Sequence, residues 1–264
     1  MPRFFTQDIT EAGGCITGED AKHIAKVLRM KVGDELTVCD TKGRDYDCMI
    51  EEIGAGEVRL KVLSVAPSQS EPDVRVHLYQ AMPKADKMET IIQKAVELGA
   101  ASITPVMTRR CVSRPDAKSM DKKLVRYNRI ALEAAKQCGR GVVPPVLPLL
   151  ELPQALEQMQ RTGCPILFYE NATAPAKQVI AKAMESGKEP EIAVLIGAEG
   201  GFDEDEVALA REHGCHILSL GKRILRCETA PLAALTILMY ETGNQSACIG
   251  RKMDRTCFCT AWVL

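Results

Sequence analysis

The stretch that decides the fold is Ile192-Ala-Val-Leu-Ile-Gly-Ala-Glu-Gly-Gly-Phe202, which Asp203-Glu-Asp-Glu206 follows directly. Residues 192–196 are apolar throughout, which is typical of a strand covered on both faces of a parallel sheet. The glycines predict a tight turn after that strand, and a helix is predicted over residues 203–213. Since ligands of such sheets bind beyond the carboxyl ends of the strands, this turn is a candidate ligand site.

The alternation of strand and helix extends outward from this turn in both directions. Predicted strands are 74–80, 102–107, 164–169 and 216–220, and predicted helices are 86–98, 119–138, 174–186 and 228–240. Asp86 and Glu89 resemble a capping box at the start of the first helix, and Gly99 marks its end. The pattern predicts an α/β fold with a mostly parallel sheet and helices on both faces.

Residues 1–66 follow a different pattern, rich in short alternating stretches. Strands are predicted at 35–39, 46–50 and 58–62, and a single helix is predicted over 18–30. Residues 66–73, a Pro- and Ser-containing stretch, form the natural linker to the α/β region. The sequence therefore predicts a small β-barrel that carries one helix and precedes the α/β domain.

Composition and charge narrow the function classes. The 264 residues are 46% hydrophobic and 26% charged, as in ordinary globular proteins. The net charge is −1, yet residues 82–141 hold 13 Lys and Arg against 6 Asp and Glu. This basic segment indicates either a face for a polyanion or a solvated helix surface. On the helix over 119–138 the stripe of Lys122, Lys123, Arg126 and Arg129 favours phosphate contact.

The cysteines and the apolar runs predict a cytoplasmic protein. No apolar run reaches the ~18 residues of a membrane span, and the first residues show no signal-peptide core. The 11 cysteines are odd in number and irregular in spacing, so they are interpreted as free thiols in a reducing compartment. The spacing of His and Cys predicts no metal site.

Two glycine-bearing loops are the candidates for chemistry. The turn over 197–201 is neither a GxGxxG fingerprint nor a P-loop. The carboxylates that open the next helix would repel phosphate, which disfavours a dinucleotide and leaves a neutral or cationic adenosine-containing ligand, with Glu199 at its polar edge. The second loop, Leu220-Gly-Lys-Arg-Ile-Leu-Arg-Cys-Glu-Thr-Ala230, brings three cations to the same sheet edge. Together the loops predict a cleft.

At these two loops the sequence resembles the ribosomal RNA small subunit methyltransferase E family, which belongs to the knotted SPOUT superfamily. Other stretches that match in order are Pro2-Arg-Phe-Phe5, His23 with Val27-Leu-Arg-Met30, Lys87-Met-Glu89 with Gln93-Lys-Ala-Val-Glu-Leu-Gly99, and Glu133-Ala-Ala-Lys-Gln-Cys-Gly-Arg140. The resemblance covers residues 1–243. Ala198 stands where that family usually has proline, and residues 244–264 have no counterpart in it.

The resemblance implies a PUA-like β-barrel over residues 1–72, a knotted SPOUT-type methyltransferase domain over residues 73–243, and a tail of unknown role over residues 244–264. It implies S-adenosylmethionine as methyl donor, a homodimer without metal or membrane association, and methylation of N3 of a uridine in the decoding region of 16S rRNA, within the small ribosomal subunit. The implied cofactor-binding residues lie in three loops and are Phe168, Leu195, Gly197, Glu199, Gly200, Gly201, Leu220, Leu225, Glu228 and Thr229.

The chemistry of N3 methylation adds a catalytic candidate. Loss of the N3 proton spreads negative charge onto the uracil oxygens, so a cation beside them stabilises the transition state, and Arg226 is the candidate for that role. No Asp, Glu or His is identified as the base. The expected RNA-binding residues are Arg3, Arg29, Lys84, Arg110, Lys136 and Arg140.

Two other functions are compatible with the residues alone. The strand–helix alternation permits a nucleotide-cofactor oxidoreductase, although the dinucleotide fingerprint is absent. The basic segment permits a non-catalytic RNA-binding module of the ribosome-assembly type. Binding of S-adenosylmethionine but not of a nicotinamide cofactor distinguishes the methyltransferase from both.

Overall fold

The computed structural model describes residues 1–174, 176–184 and 190–245. The N-terminal part is a curled six-stranded sheet in the order β1-β4-β5-β6-β3-β2. Its strands are β1 (Arg3–Phe5), β2 (Ile9–Thr10), β3 (Gly13–Thr17), β4 (Glu35–Cys39), β5 (Arg44–Ile53) and β6 (Glu57–Pro67). Only β1 and β4 pair in parallel, and the other neighbours are antiparallel. Alternate residues of these strands, such as Leu36 and Val38, are buried in the core of the curled sheet.

The predicted helix over 18–30 is shorter than expected. It consists of α1 (Gly18–Lys22) and a π-helical turn (His23–Val27), and Arg29 then adopts a positive φ of 53°. Ile24 is fully buried, whereas Val27 and Leu28 are 66% and 41% exposed. The prediction was wrong about the end of the helix and about the burial of Val27 and Leu28, because the π-helical turn departs from the 3.6-residue period on which that burial depends.

The second sheet is parallel throughout, as predicted, with the order β12-β10-β11-β7-β8-β9. Its strands are β7 (Arg75–Ala81), β8 (Ser102–Met107), β9 (Leu150–Glu151), β10 (Cys164–Phe168), β11 (Glu191–Ile196) and β12 (His216–Leu218). The helices are α2 (Lys87–Glu97), α3 (Ala117–Cys138), α4 (Leu152–Met159), α5 (Ala176–Met184), α6 (Glu204–Glu212) and α7 (Ala230–Glu241). None of the helices in the described ranges combines the length and the apolar character needed to cross a membrane.

Alternation along the central strands places helices on both faces of this sheet. On β11, Ile192, Val194 and Ile196 face the core shared with α2, α3, α5 and α7. The intervening Ala193 and Leu195 face the core shared with α4 and α6. Both faces of β11 are therefore covered, which explains why residues 192–196 are uniformly apolar.

Some local features differ from the sequence-based expectation or extend beyond it. The short β9 and α4 were not predicted. Asp86 makes no side-chain capping bond, and Glu89 pairs instead with Arg126 of α3 at 2.7 Å, so the predicted capping box is absent. The predicted helix over 174–186 corresponds to α5, although residues 175, 185 and 186 lie outside the described residues.

Ion pairs join the curled sheet and its linker to the end of α3. The guanidinium of Arg140 is 5% exposed, donates to a carboxylate oxygen of Glu71 at 2.6 Å, and also donates to the carbonyl of Ala100 at 2.6 Å. Lys136 Nζ lies 3.0 Å from a carboxylate oxygen of Asp20 in α1. These contacts fix the position of the curled sheet beside α3.

Candidate functional site

A cavity of about 260 Å³ opens at the carboxyl ends of β10, β11 and β12. Its walls come from the loops that follow these strands: residues 168–170, 196–202, 219–221 and 223–225, with Cys227 and Ala230. The two glycine-bearing loops therefore meet at one cavity. Its volume is near the lower end of the ~300–1,000 Å³ that is usual for small-molecule sites.

Side chains from other elements hold the turn over 197–201. Gly201 has a φ of 63° and its amide donates to the carbonyl of Ala198 at 3.0 Å. The carbonyl of Gly197 accepts from Nε2 of the buried Gln80 at 3.3 Å, and the carbonyl of Gly200 accepts from Arg110 Nη1 at 3.0 Å. The turn is thus fixed by β7 and by the loop after β8, and it presents a preorganised edge to the cavity.

Lys87 connects the two loops. Its Nζ lies 3.1 Å from a carboxylate oxygen of Glu199 and 3.1 Å from one of Glu228. The two carboxylates raise the pKa of Lys87. Burial raises the pKa of Glu199, but hydrogen bonds from its own amide, Lys87 and the Lys84 amide outweigh burial and hold the pKa below its usual value. A hydrogen bond from the Cys227 thiol, together with one from its own amide and one from Lys87, lowers the pKa of Glu228. Lys87, Glu199 and Glu228 are therefore all charged at neutral pH.

Cys227 lines the cavity as a thiol rather than a thiolate. Burial and hydrogen bonding to Glu228 raise the pKa of Cys227 to about 12. Its Sγ donates to a carboxylate oxygen of Glu228 at 3.2 Å. Because the thiolate is the nucleophilic form, Cys227 does not act as a nucleophile near neutral pH.

The acidic start of α6 is capped by its own side chains. Asp203 and Glu206 form a capping box, and Glu206 also accepts from the Arg109 amide at 2.8 Å. Arg109 Nη1 further contacts Asp205 at 2.7 Å. The helix end that would attract a phosphate is therefore occupied by carboxylates of the chain itself, as the sequence indicates.

Seven of the ten expected cofactor-binding residues line the cavity: Phe168, Gly197, Glu199, Gly200, Gly201, Leu220 and Leu225. Leu195 does not, because its fully buried side chain lies in the core facing α4 and α6. Glu228 lies beside the cavity through its contact with Lys87, and Thr229 is an exposed residue at the start of α7. The cofactor contacts expected of Leu195 and Thr229 stay predictions.

Four residues that line the cavity were not named individually as candidates, although they lie within the loops over 168–170 and 220–229 that the resemblance implies: Tyr169, Glu170, Arg223 and Ile224. Glu170 lies over the turn, since a Cβ placed on Gly201 would come within 2.9 Å of its carboxylate. Its position two residues after the end of β10 was the available signal, because residues just beyond parallel strands face the ligand edge. Arg226 is exposed but is not part of the cavity lining within the described ranges.

The expected RNA-binding residues divide into two groups. Arg29, Lys84 and Arg110 are exposed. The side chains of Arg3, Lys136 and Arg140 instead make internal ion pairs, with Asp45, Asp20 and Glu71 respectively. For Arg140, which is 5% exposed, an RNA contact is inconsistent with the structure.

Comparison with known proteins gives concordant matches over both parts of the chain. Residues 70–239 match a family model described as an RNA methyltransferase domain, and residues 16–63 match one described as an RNA methyltransferase PUA domain. The ribosomal RNA small subunit methyltransferase E of Bacillus subtilis is 35% identical, covering 92% of this chain and 97% of the relative. That of Mycobacterium bovis is 31% identical, covering 88% of each.

A solved structure is similar over nearly the whole length. The crystal structure of a ribosomal RNA small subunit methyltransferase E from Neisseria gonorrhoeae, bound to S-adenosyl methionine, superposes with a TM-score of 0.78. It is 30% identical to this chain, and the match covers 91% of this chain and 97% of that one. The likeness therefore includes both the curled sheet and the parallel sheet that carries the cavity.

Proposed function

The chain belongs to the ribosomal RNA small subunit methyltransferase E family, and on this basis we propose that it uses S-adenosylmethionine to methylate N3 of a uridine in the decoding region of 16S rRNA. Methylation of ribosomal RNA follows from the family. The atom and the region follow from the sequence resemblance. The observation that carries the proposal is the cavity at the carboxyl ends of β10, β11 and β12, formed by the two loops that carry the family resemblance.

The residues around the cavity fit this cofactor. Phe168, Leu220 and Leu225 provide apolar surface for an adenine ring, and the backbone of the turn over 197–201 allows close approach. The carboxylates of Glu170 and Glu199 at the cavity favour a ligand with positive charge. When bound, the cofactor supplies a methyl group attached to a cationic sulfur, which becomes part of a neutral thioether when the methyl group is transferred.

The protein must remove a proton from uridine N3 and stabilise the charge that results. The N3 electron pair forms the bond to the methyl carbon as the carbon–sulfur bond breaks, and the N3 proton goes to a base. Arg226 is proposed to stabilise the negative charge on the uracil oxygens, because it is exposed beside Leu225 and Cys227 of the cavity wall. Its guanidinium stays charged at any physiological pH.

RNA is proposed to lie across exposed cations of both sheets. Arg29 follows the π-helical turn of the N-terminal part, whereas Lys84 and Arg110 belong to the loops beside the turn over 197–201. Lys122 and Arg129 of α3 are exposed and extend the same basic segment. Such contacts to phosphate position the RNA without reading its sequence.

Further parts of the proposal rest on the family resemblance. The first is a trefoil knot at the cofactor loops. The second is a homodimer that needs no metal and acts on the small ribosomal subunit in the cytoplasm. The third is a division of the chain into residues 1–72, 73–243 and 244–264. Residues 246–264 lie outside the described residues. Analytical ultracentrifugation tests the dimer, and a sedimentation mass of one chain at micromolar concentration would contradict it.

A calorimetric titration tests the cofactor. We expect the protein to bind S-adenosylmethionine and not a reduced nicotinamide dinucleotide. The opposite result would favour the oxidoreductase, and binding of RNA with neither cofactor would favour the non-catalytic module.

A further inference from the structure

Lys87 occupies the junction of three elements around the cavity. It is the first residue of α2, and its Nζ lies 3.1 Å from Glu199 in the first loop and 3.1 Å from Glu228 in the second. Glu199 and Glu228 are separated by a strand and a helix in the sequence, and α2 precedes both by more than a hundred residues. One ammonium group therefore joins both cofactor loops to a helix that does not line the cavity.

The contacts around Lys87 form a network rather than an isolated surface pair. Glu199 also accepts from the amide of Lys84 at 3.1 Å, and Glu228 accepts from the Cys227 thiol at 3.2 Å. The side chains of Lys87, Glu199 and Glu228 are each 28–30% exposed. Charge networks with restricted side chains contribute more to stability than single exposed ion pairs, which contribute ~1 kcal/mol or less.

We propose that Lys87 is a positioning residue that holds the loop at Glu199 and the loop at Glu228 at the separation the cofactor requires. The inference rests on the proposed function, because it assumes that the cavity between the loops receives S-adenosylmethionine. Lys87 acts through the two carboxylates and does not touch the cofactor. Binding is favoured because the loops are ordered before the ligand arrives.

A different role for Lys87 would be charge balance alone. The cavity holds Glu199 and, beside it, Glu228, so a cation near them lowers the local negative charge whatever its geometry. Under that alternative, removal of one carboxylate would compensate for removal of the lysine. Under the positioning role, removal of a carboxylate would not compensate for removal of the lysine, because a loop that has lost its contact with Lys87 is no longer held in place.

The experiment compares Lys87→Met, which keeps most of the apolar stem, with Lys94→Met as a matched control. Lys94 lies on the same helix and pairs with Glu97, away from the cavity. We expect Lys87→Met to weaken S-adenosylmethionine binding by ~10-fold or more and to raise KM for the cofactor more than it lowers kcat, as expected when loops must be ordered on binding. Lys94→Met should bind as the wild type does.

Two further variants separate positioning from charge and from general loss of structure. Lys87→Arg should restore most of the affinity, because a guanidinium reaches both carboxylates. In the double variant Lys87→Met/Glu228→Gln the two losses of cofactor affinity should not add, because both substitutions break the same ion pair between Lys87 and Glu228. Recovery of wild-type affinity in the double variant would overturn positioning in favour of charge balance.

Hydrogen exchange of the cofactor-free protein tests whether Lys87 holds the two loops, independently of the cofactor. Lys87→Met should speed amide exchange at both 197–201 and 227–230, and leave the amides of β7 and β8 unchanged. If the wild type binds no cofactor, the proposed function fails while this measurement still decides the role of Lys87. If Lys87→Met does not fold, Glu228→Gln gives the same readout. Unchanged exchange at both loops and unchanged affinity would overturn the proposal.

Discussion

Among single residues, Gly200 and Leu225 differ in what they face, although both belong to the cavity wall. A Cβ on Gly200 would lie 2.9 Å from Cβ of Arg110, so a side chain there would displace the loop after β8 rather than fill the cavity. Leu225 contributes apolar surface to the cavity itself. Leu225 is therefore the better probe of cofactor contact.

We expect Leu225→Ala to weaken S-adenosylmethionine binding by ~10-fold, because truncation removes one to two kcal/mol of apolar contact, at roughly 25 cal/mol per Å². Leu63→Ala is the control, since Leu63 lies on β6 and is 49% exposed. Calorimetry measures both affinities. Equal affinity of Leu225→Ala and the wild type would place the cofactor elsewhere.

Arg226 is assigned to the chemical step rather than to cofactor binding. Its side chain is exposed, and only its neighbours in the chain line the cavity. Arg226→Ala should therefore lower the methylation rate at saturating RNA and cofactor by ~100-fold, the scale of losing one charge-stabilising donor. Cofactor affinity should stay the same.

The control for Arg226 is Arg211→Ala, an exposed arginine on α6. Rates are measured by transfer of labelled methyl groups to RNA. An unchanged rate for Arg226→Ala would remove this residue from the mechanism.

At the scale of elements, the sequence was most informative where a pattern is long. The predicted strand over 192–196 and the predicted helix over 228–240 differ from β11 and α7 by only one or two residues at each end. In contrast, β9 has two residues, too few for a periodic pattern. The eight-residue α4 does carry one, since its buried residues Leu152, Ala155, Leu156 and Met159 follow helical spacing, and this signal could have predicted the helix. β1 exists because it pairs with β4 across more than 30 residues, which no local pattern records.

The candidate site also contains features that local sequence predicts and features that it does not. Both glycine-bearing loops, and the strand ends that place them together, could be found from local sequence. The Lys87 network could not, because Lys87, Glu199 and Glu228 are brought together only by the order of the strands. The internal pairs of Arg140 and Lys136 were also not detectable, since an exposed and a paired cation look alike in a sequence.

The basic elements predict a salt-dependent RNA affinity. Arg29 follows the π-helical turn and Lys122 lies on α3, and both are exposed. Arg29→Ala and Lys122→Ala should each weaken RNA binding and reduce the slope of log affinity against log salt by ~1 per lost phosphate contact. Lys177→Ala, on α5, is the control.

Filter binding at several salt concentrations measures these slopes. A wild-type slope near zero would contradict an electrostatic RNA face. If only Lys122→Ala weakened RNA binding, the RNA-binding surface would be restricted to the parallel-sheet region.

For the whole molecule, the contact between Glu71 and Arg140 holds the linker that follows the curled sheet against the end of α3. The Arg140 side chain is 6% exposed and that of Glu71 is 21% exposed. Arg140→Ala removes the cation that faces the Glu71 carboxylate, and it removes the donor to the Ala100 carbonyl. The carboxylate keeps the amides of Gly141 and Val142 as donors. Breaking such an ion pair costs roughly 3 kcal/mol. We therefore expect a lower free energy of unfolding in urea.

Arg59→Ala is the control for this loss, since the Arg59–Glu52 pair is about 60% exposed on both sides and such pairs contribute ~1 kcal/mol or less. Cofactor affinity should not change in either variant, because both lie away from the cavity. Equal stability of Arg140→Ala and Arg59→Ala would show that the contact does not hold the two parts together.

Mass spectrometry of nucleosides tests the methylation itself, with unmodified 16S rRNA in isolated small subunits incubated with the protein and S-adenosylmethionine. We expect one new N3-methyluridine per 16S rRNA, located in the decoding region and absent when either the protein or the cofactor is omitted. A methyl group on another atom or another base, or no methylation of an RNA that the protein binds, would contradict this expectation.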